Sequence, residues 1–191
     1  MKIGIFGGSF NPIHIGHAII ASRIIENSDL DVLWMTVSPQ NPLKTNQQMA
    51  SEFHRLRMTE LVTRRLENVE TSGFETLLPR PSYTIDTLNA LQEKFPDDEF
   101  HLVIGADNWA EWDKWKASEE IVNRFHVLVY PRAGYDVDIP EHLADRVRLV
   151  DAPLIELSST EIRQRVANRQ SITYLVADSV ESYIHDNHLY E

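Results

Sequence analysis

KIGIFGGSFNPIHIGH, residues 2–17, is the stretch that decides the fold of this chain. Its first five residues are typical of a strand, and Gly7 and Gly8 follow. Two glycines after a strand let backbone N–H groups approach an anion closely, because no Cβ intervenes. The apolar run after the glycines has the spacing of a helix packed on a sheet, and His14 and His17 stand on one side of its start. The stretch therefore predicts an α/β fold with a phosphate-binding turn after the first strand.

Length and composition set the broad class of protein. The chain has 191 residues, 42% of them hydrophobic, so we expect a single domain over residues 1–191. It has no cysteine, which excludes disulfides, thiol catalysis and cysteine-ligated metal. The formal charge of −11 argues against an extended nucleic-acid surface. Neither a signal-peptide pattern nor an apolar run of membrane-spanning length is present, so the sequence predicts a cytoplasmic protein that binds no membrane.

Strand-like and helix-like segments alternate along the rest of the chain. Predicted strands cover 31–38, 69–72, 100–104 and 125–130, with more extended structure in 147–155; predicted helices begin near Ser51, Thr84 and Ser158, and a last one covers roughly 176–187. Continuous apolar strands that alternate with helices indicate an open parallel sheet with helices on both faces. Ligands of such sheets bind at the carboxyl ends of the strands.

The histidine pair favours phosphate chemistry over a metal site. No cysteine and no clear carboxylate partner accompany His14 and His17, as a metal site would require. An imidazole can instead donate a hydrogen bond to charge that develops on a phosphoryl oxygen.

A second polar cluster, residues 158–163 (SSTEIR), begins a predicted helix near the end of the chain. Ser158 and Glu161 have the spacing of a capping box, which is a sufficient structural explanation. The same helix start also offers N–H groups and hydroxyls to an anion, and Arg163 could clamp phosphate oxygens. The residues alone leave both interpretations open.

Three further candidates follow predicted strands or loops. Lys44 is a point charge on a loop stiffened by prolines, and an ordinary surface lysine is the alternative. Asp107 could accept hydrogen bonds from ribose hydroxyls or cap a helix. Trp109, Trp112 and Trp115 recur every third residue, which favours a core face, although Trp115 could stack on a ligand ring.

Taken together, these motifs resemble the HxGH-type nucleotidyltransferases, and closely the bacterial nicotinate mononucleotide adenylyltransferases. The resemblance spans nearly the whole chain and rests on 7–17 (GGSFNPIHIGH), 81–88 (PSYTIDTL), 104–107 (IGAD), 114–115 (KW) and 157–163 (LSSTEIR). It implies a Rossmann-like fold and transfer of the adenylyl group of ATP, with Mg²⁺ bridging the phosphates, to nicotinate mononucleotide. Self-association of the chain stays open.

The resemblance also implies roles for individual residues. Catalytic roles fall on His14, His17, Lys44 and Arg163. Contacts to ATP fall on Gly7, Gly8, Ser9, Phe10, His17, Gly105, Asp107, Ser158, Ser159, Thr160 and Arg163. The pyridine nucleotide would contact Tyr83, Thr84, Trp115 and Arg132, with the nicotinate carboxylate at a helix start, where N–H groups favour an anion.

The chain departs from the family pattern at three places. Asn11 stands where the family often has Asp, the loop before Lys44 is shorter than usual, and Lys116 replaces a frequent aromatic residue after the tryptophan. Whether the enzyme prefers the acid or the amide form of the pyridine nucleotide is left open.

Three other protein classes share part of the pattern. Class I aminoacyl-tRNA synthetases carry a similar histidine motif, but this short, acidic chain lacks a lysine-rich second loop and a basic tRNA surface. Phosphopantetheine adenylyltransferases usually carry Thr in place of the first histidine. A non-catalytic nucleotide-binding module would not require both histidines. The sequence therefore favours the pyridine-nucleotide enzymes.

Overall fold

One six-stranded sheet organises the protein, whose computed structural model describes residues 1–39 and 49–191. Its strands are β1 (Lys2–Gly8), β2 (Val32–Val37), β3 (Val69–Ser72), β4 (Glu99–Gly105), β5 (His126–Tyr130) and β6 (Val147–Leu149). The strand order is β3-β2-β1-β4-β5-β6, and every pairing is parallel. The order reverses between β1 and β4, which creates a crevice at the carboxyl ends of these two strands.

Helices cover both faces of the sheet. They are α1 (Ile15–Glu26), α2 (Glu52–Thr63), α3 (Thr84–Lys94), α4 (Ala106–Trp109), α5 (Ser118–Arg124), α6 (Ser159–Ala167) and α7 (Asp178–Asp186). Short 3₁₀ turns in the described part of the chain cover Phe74–Leu77, Trp112–Lys114 and Glu141–Leu143.

Alternation along the strands divides the buried side chains into two apolar cores. In β4, Val103 joins the core that α1, α2, α6 and α7 cover, whereas Leu102 and Ile104 join the core under α3 and α5. Because the strands are buried on both faces, they read as continuous apolar runs. The observed architecture confirms the predicted α/β fold, a Rossmann-like parallel sheet with helices on both faces.

The predicted extended structure over 147–155 is only partly correct. β6 ends at Leu149 after pairing with β5 over three register positions. Beyond it the chain runs through loop structure to Ser158. Pro153 lies in this loop and has no N–H to continue a ladder of hydrogen bonds.

The sequence predicts an apolar side of α2 formed by Phe53, Leu56, Leu61 and Val62, and the structure bears this out except at Phe53. Val62 is buried and Leu56 and Leu61 pack against the core, whereas Phe53 is 71% exposed. Arg55, Met58 and Thr59 are fully buried. Ser51 caps the helix as predicted, since its hydroxyl accepts from the N–H of His54. Arg55 is buried on this helix because its Nε and Nη1 donate to backbone carbonyls, which sequence periodicity does not reveal.

The three tryptophans do not share one helix. Trp109 ends α4 and Trp112 lies in a 3₁₀ turn, and both are buried. Their rings are 5.3 Å apart, and the ring of the half-buried Trp115 lies 5.2 Å from that of Trp112. The core assignment is correct for the first two residues, and Trp115 extends the stack toward the crevice.

None of the helices in the described part of the chain is long and apolar enough to cross a bilayer.

Candidate active site

The glycine turn begins where β1 leaves the sheet. Phe10 is buried with φ 43°, so the chain turns sharply after Ser9. A Cβ on Gly8 would come within 2.9 Å of the Phe10 ring, so the turn requires glycine there. Gly7 is exposed and lines the large cavity described below. The turn thus presents bare backbone to the crevice.

His14 and His17 form a stacked pair at the start of α1. Their ring centroids are 3.7 Å apart with an interplanar angle of 23°. His14 is the N-cap residue: its Nδ1 accepts from the N–H of His17 at 3.4 Å, and the Nδ1 of His17 accepts from the N–H of His14 at 3.2 Å. A Cβ on Gly16 would lie 3.0 Å from the His14 ring, so glycine between the histidines permits the stack.

Both imidazoles are neutral at physiological pH. Burial, and to a smaller extent the nearby Arg132, lowers the pKa of His14 to about 4. The pKa of His17 lies well below its ordinary value, first because of burial and then because of His14 and Arg132. Since each Nδ1 accepts a backbone N–H, each neutral ring carries its proton on Nε2. The pair therefore offers two N–H donors and no general acid.

Helix α6 is attached to the glycine turn by two side chains. The Ser159 hydroxyl donates to the carbonyl of Pro12 at 2.9 Å. Arg163 donates through Nη1 to the carbonyl of Asn11 at 2.8 Å and through Nη2 to the Thr160 hydroxyl at 3.2 Å. The buried Nε of Arg163 has no hydrogen-bond partner among the described residues. These contacts bring the two motifs at opposite ends of the chain to one edge of the sheet.

Ser158 caps α6 in the way the sequence suggested. Its hydroxyl accepts from the N–H of Glu161 at 3.1 Å. Ser158 and Thr160 are exposed at the helix start, and Ser159 is half-buried against the turn. The Ser158 half of the predicted capping box is therefore confirmed. The other N–H groups of the first turn have no partner within the helix.

Gly105, Asp107 and Arg132 form a separate group at the end of β4. The Nε of Arg132 lies 3.6 Å from Oδ1 of Asp107, and that buried oxygen has no hydrogen-bond partner in the described parts of the chain. A Cβ on Gly105 would lie 2.3 Å from the same oxygen, so glycine makes room for the carboxylate. Arg132 also lines a small pocket of about 20 Å³ with His14 and His17. The sequence-based hypothesis paired Arg132 with Tyr83 and Trp115, but it does not line their cavity.

A cavity of about 460 Å³ opens on the other side of β1. Gly7, Tyr83, Thr84, Asn108 and Trp115 contribute to its walls. Thr84 begins α3, so the first turn of that helix faces the cavity with its unpaired N–H groups. The structure therefore brings three of the four residues of the predicted pyridine pocket, Tyr83, Thr84 and Trp115, around one space.

Phe6 and Tyr130 form a wall that the large cavity and the small histidine pocket share. Their ring centroids are 5.6 Å apart in an edge-to-face arrangement. The two spaces therefore adjoin at the point where the strand order reverses.

A lysine lies against Tyr83, one of the residues that line the large cavity. The Nζ of Lys116 lies 4.2 Å from the centroid of the Tyr83 ring and 3.3 Å from Oδ2 of Asp86. Asp86 also accepts from the N–H of Tyr83 at 3.0 Å, which completes one half of a cap on α3. The loop that carries Trp115 is thus held to the first turn of α3.

Two important residues escaped sequence reasoning. Arg55 is fully buried and donates to the carbonyls of Ser9 at 2.8 Å and Ser38 at 2.7 Å, so it joins the glycine turn to the end of β2. Glu75 lines the large cavity, and burial raises the pKa of its carboxyl group, although hydrogen bonds from Ser38 and Thr87 oppose this. The position of Arg55 on the inward side of α2 was the one sequence signal that could have pointed to it. No sequence signal pointed to Glu75.

Two predictions about the phosphate site are not tested by the structure. Lys44 lies outside the described residues, so its role stays a prediction. Among the described residues no group of three His, Cys, Asp or Glu side chains could hold a metal ion. That Mg²⁺ is held mainly by the phosphates of the nucleotide stays a prediction.

Comparison with known proteins gives consistent matches over the whole chain. The model of the cytidylyltransferase-like family matches residues 5–165. A protein of Bacteroides thetaiotaomicron named probable nicotinate-nucleotide adenylyltransferase is 44% identical, covering 97% of this chain and 92% of its own length. One of Flavobacterium psychrophilum with the same name is 42% identical over the full length of both.

A solved structure has the same fold. The nicotinic acid mononucleotide adenylyltransferase of Plasmodium falciparum, complexed with NaAD, superimposes with a TM-score of 0.81. The superposition covers 99% of this chain and 97% of that one, at 19% identity.

Proposed function

This chain belongs to the cytidylyltransferase-like family and, within it, to the nicotinate-nucleotide adenylyltransferases, and we propose that it transfers the adenylyl group of ATP to nicotinate mononucleotide. The products are nicotinate adenine dinucleotide and pyrophosphate, in a step of NAD biosynthesis. One observation carries the proposal: the histidine pocket and the large cavity adjoin at the Phe6–Tyr130 wall. A mononucleotide in the large cavity and an ATP whose phosphates reach the histidine pocket would meet with their phosphates beside the glycine turn.

ATP is proposed to occupy the side of the crevice formed by α1 and α6. Backbone groups of residues 7–10 and the start of α6, at Ser158, Ser159 and Thr160, would face the triphosphate. Arg163 would neutralise phosphate charge, as would Lys44. Asp107 at the end of β4, beside Gly105, would accept from the ribose hydroxyls of the adenosine through its partly exposed carboxylate.

The mononucleotide is proposed to occupy the large cavity. Its pyridine ring would stack on Trp115, and its carboxylate would accept from the N–H groups at the start of α3, where the helix dipole favours an anion. Tyr83 and Thr84 form that start. The phosphate of the mononucleotide would then point toward Gly7, which lines the same cavity.

The reaction needs positioning and charge stabilisation rather than proton transfer. An oxygen of the mononucleotide phosphate attacks the α-phosphorus of ATP, a new P–O bond forms, and the P–O bond to the β-phosphate breaks with release of pyrophosphate. Neutral imidazoles with Nε2–H donors suit this step, since they hydrogen-bond to the phosphoryl oxygens as negative charge moves onto the leaving group. The lowered pKa values of His14 and His17 fit that role.

Magnesium would enter as part of the nucleotide substrate. Mg²⁺ keeps several water ligands and is commonly bound through substrate phosphates with few carboxylates. The donor set around the described crevice, which includes no metal-binding cluster, fits such an arrangement. The cytoplasm, where ATP is abundant, is the proposed location.

One assay tests the proposal. Purified protein is incubated with ATP and Mg²⁺ and, in separate reactions, with nicotinate mononucleotide, nicotinamide mononucleotide or phosphopantetheine. Pyrophosphate release and a dinucleotide product are expected with the pyridine mononucleotides. Pyrophosphate release with phosphopantetheine and neither pyridine mononucleotide would contradict the pyridine assignment. If no acceptor gave pyrophosphate release, only a nucleotide-binding role would remain.

A further inference from the structure

Lys116 places a positive charge over the first turn of α3. Its Nζ lies 4.2 Å from the centroid of the Tyr83 ring, and Tyr83 is the N-cap residue of that helix. The same Nζ lies 3.3 Å and 3.4 Å from the two carboxylate oxygens of Asp86, the third residue of the helix. Two separate contacts therefore hold the half-exposed ammonium group beside the helix start.

The first turn would otherwise carry an uncompensated negative charge. Asp86 accepts from the N–H of Tyr83, so its carboxylate lies beside the N–H groups that face the cavity. A carboxylate there stabilises the helix but repels a second anion at the same helix end. Lys116 offsets this repulsion because it pairs with Asp86.

Two other charged residues line the cavity, but neither supplies a positive charge to the start of α3. Arg80 lines the cavity, but its guanidinium forms an ion pair with Glu52 at 2.7 Å. Glu75 lines the cavity with a buried carboxyl group, whose negative form would repel an anionic ring substituent. Of these charged residues, Lys116 is the cation that pairs with the first turn of α3, where an anionic ring substituent would bind.

We propose that Lys116 is a specificity-determining residue, which favours a pyridine ring bearing a carboxylate over one bearing a carboxamide. This inference rests on the proposed function, in which the ring substituent binds at the first turn of α3. The binding of a carboxylate is stabilised by attraction to the ammonium group, which also offsets the repulsion from Asp86. A carboxamide has no net charge and gains little from either.

The experiment compares two substrates in three variants. kcat/KM is measured for nicotinate mononucleotide and for nicotinamide mononucleotide in the wild type, Lys116→Gln and Asp86→Asn. Lys116→Gln should lower the acid-to-amide ratio of kcat/KM by about three- to fivefold, the size of a half-exposed charge interaction. Asp86→Asn should raise the ratio, because it removes the negative charge while its side-chain oxygen still accepts from Tyr83. Both shifts should shrink with added salt.

Lys114→Gln is the matched control. Lys114 lies two residues away, and its side chain is 74% exposed in an ion pair with Glu111. Its substitution removes the same net charge without touching α3, so the ratio should stay at the wild-type value.

The outcomes separate this inference from the proposed function. If Lys116 only fastened the Trp115 loop, Lys116→Gln and Asp86→Asn would both impair the two substrates equally and leave the ratio unchanged, which would overturn the inference. A wild type that releases pyrophosphate with neither mononucleotide would instead contradict the proposed function.

Discussion

Arg163 and Asn11 lie 152 residues apart in the chain, yet the Nη1 of Arg163 donates a 2.8 Å hydrogen bond to the main-chain carbonyl of Asn11. This bond joins the helix start near the C-terminal end of the chain to the loop that connects β1 with α1. It lies beside the bond from Ser159 to Pro12, so the loop is held at two successive carbonyls. The glycine turn and the start of α6 therefore act as one rigid surface.

Replacement of Arg163 by Met should therefore impair the enzyme strongly. The variant loses both the charge near the phosphates and the bond that positions the loop, and kcat/KM for ATP should fall by about 10²-fold. Steady-state kinetics of pyrophosphate release measure this. Arg165→Met is the control, since Arg165 lies on the same helix but donates to the carbonyl of Ser171. An equal loss in both variants would assign the effect to the stability of α6.

His17 should contribute to turnover as a neutral hydrogen-bond donor. His17→Ala removes the Nε2–H donor and should lower kcat by about 10² or more. His17→Gln places an amide N–H at a similar distance from the backbone and should recover part of the loss. Unchanged turnover in His17→Ala would show that the histidine only supports the stack with His14 and the edge contact with Phe10.

Thr84→Ala should separate the two substrates. Thr84 begins α3 and lines the large cavity, away from the histidine pocket. The Michaelis constant for the pyridine mononucleotide should therefore rise more than that for ATP, because the lost hydroxyl faces only one of the two spaces. Initial-rate kinetics with each substrate varied in turn measure the two constants. Equal increases would count against the assignment of the pyridine pocket.

The stability of the fold should depend on pH through His14. Burial holds the pKa of His14 at about 4 in the folded state, whereas an unfolded histidine titrates near its ordinary value of about 6.5. Between these values the unfolded chain binds a proton that the folded chain does not, so stability is full above pH 6.5 and falls as the pH drops toward 4.

His14→Asn tests this dependence, since Asn also caps a helix well. Urea unfolding at pH 7 and pH 5 should show that the wild type loses about 2 kcal/mol more than the variant over this interval, the linkage expected for one such group. Identical losses in both proteins would mean that His14 titrates normally in the folded state.

Much of the architecture could be predicted from local patterns. Strand 69–72 matches β3, and Ser51 and Ser158 cap the helices that they were predicted to begin. These features depend on neighbouring residues: apolar continuity in a strand buried on both faces, and a hydroxyl one residue before a helix. The glycine turn with its two histidines is local in the same sense.

Contacts between distant segments could not be predicted in this way. An arginine on a helix is usually exposed, yet Arg55 is fully buried. Its guanidinium donates to three backbone carbonyls, those of Ser9, Ser38 and Ala50. Arg132 follows β5 and was grouped with the pyridine pocket, but the sheet places it beside Asp107 and the histidine pair.

The sequence by itself determined the strand and helix pattern and the glycine turn, because each depends on chain geometry over a few positions. Only the tertiary structure decided which residues face one another across the crevice. The parallel sheet brings the ends of β1, β4 and β5 to one edge, and helix packing then sets the contacts of Arg163 with Asn11 and of Lys116 with Asp86. Such pairings depend on the summed packing of both cores, which no short stretch of sequence encodes.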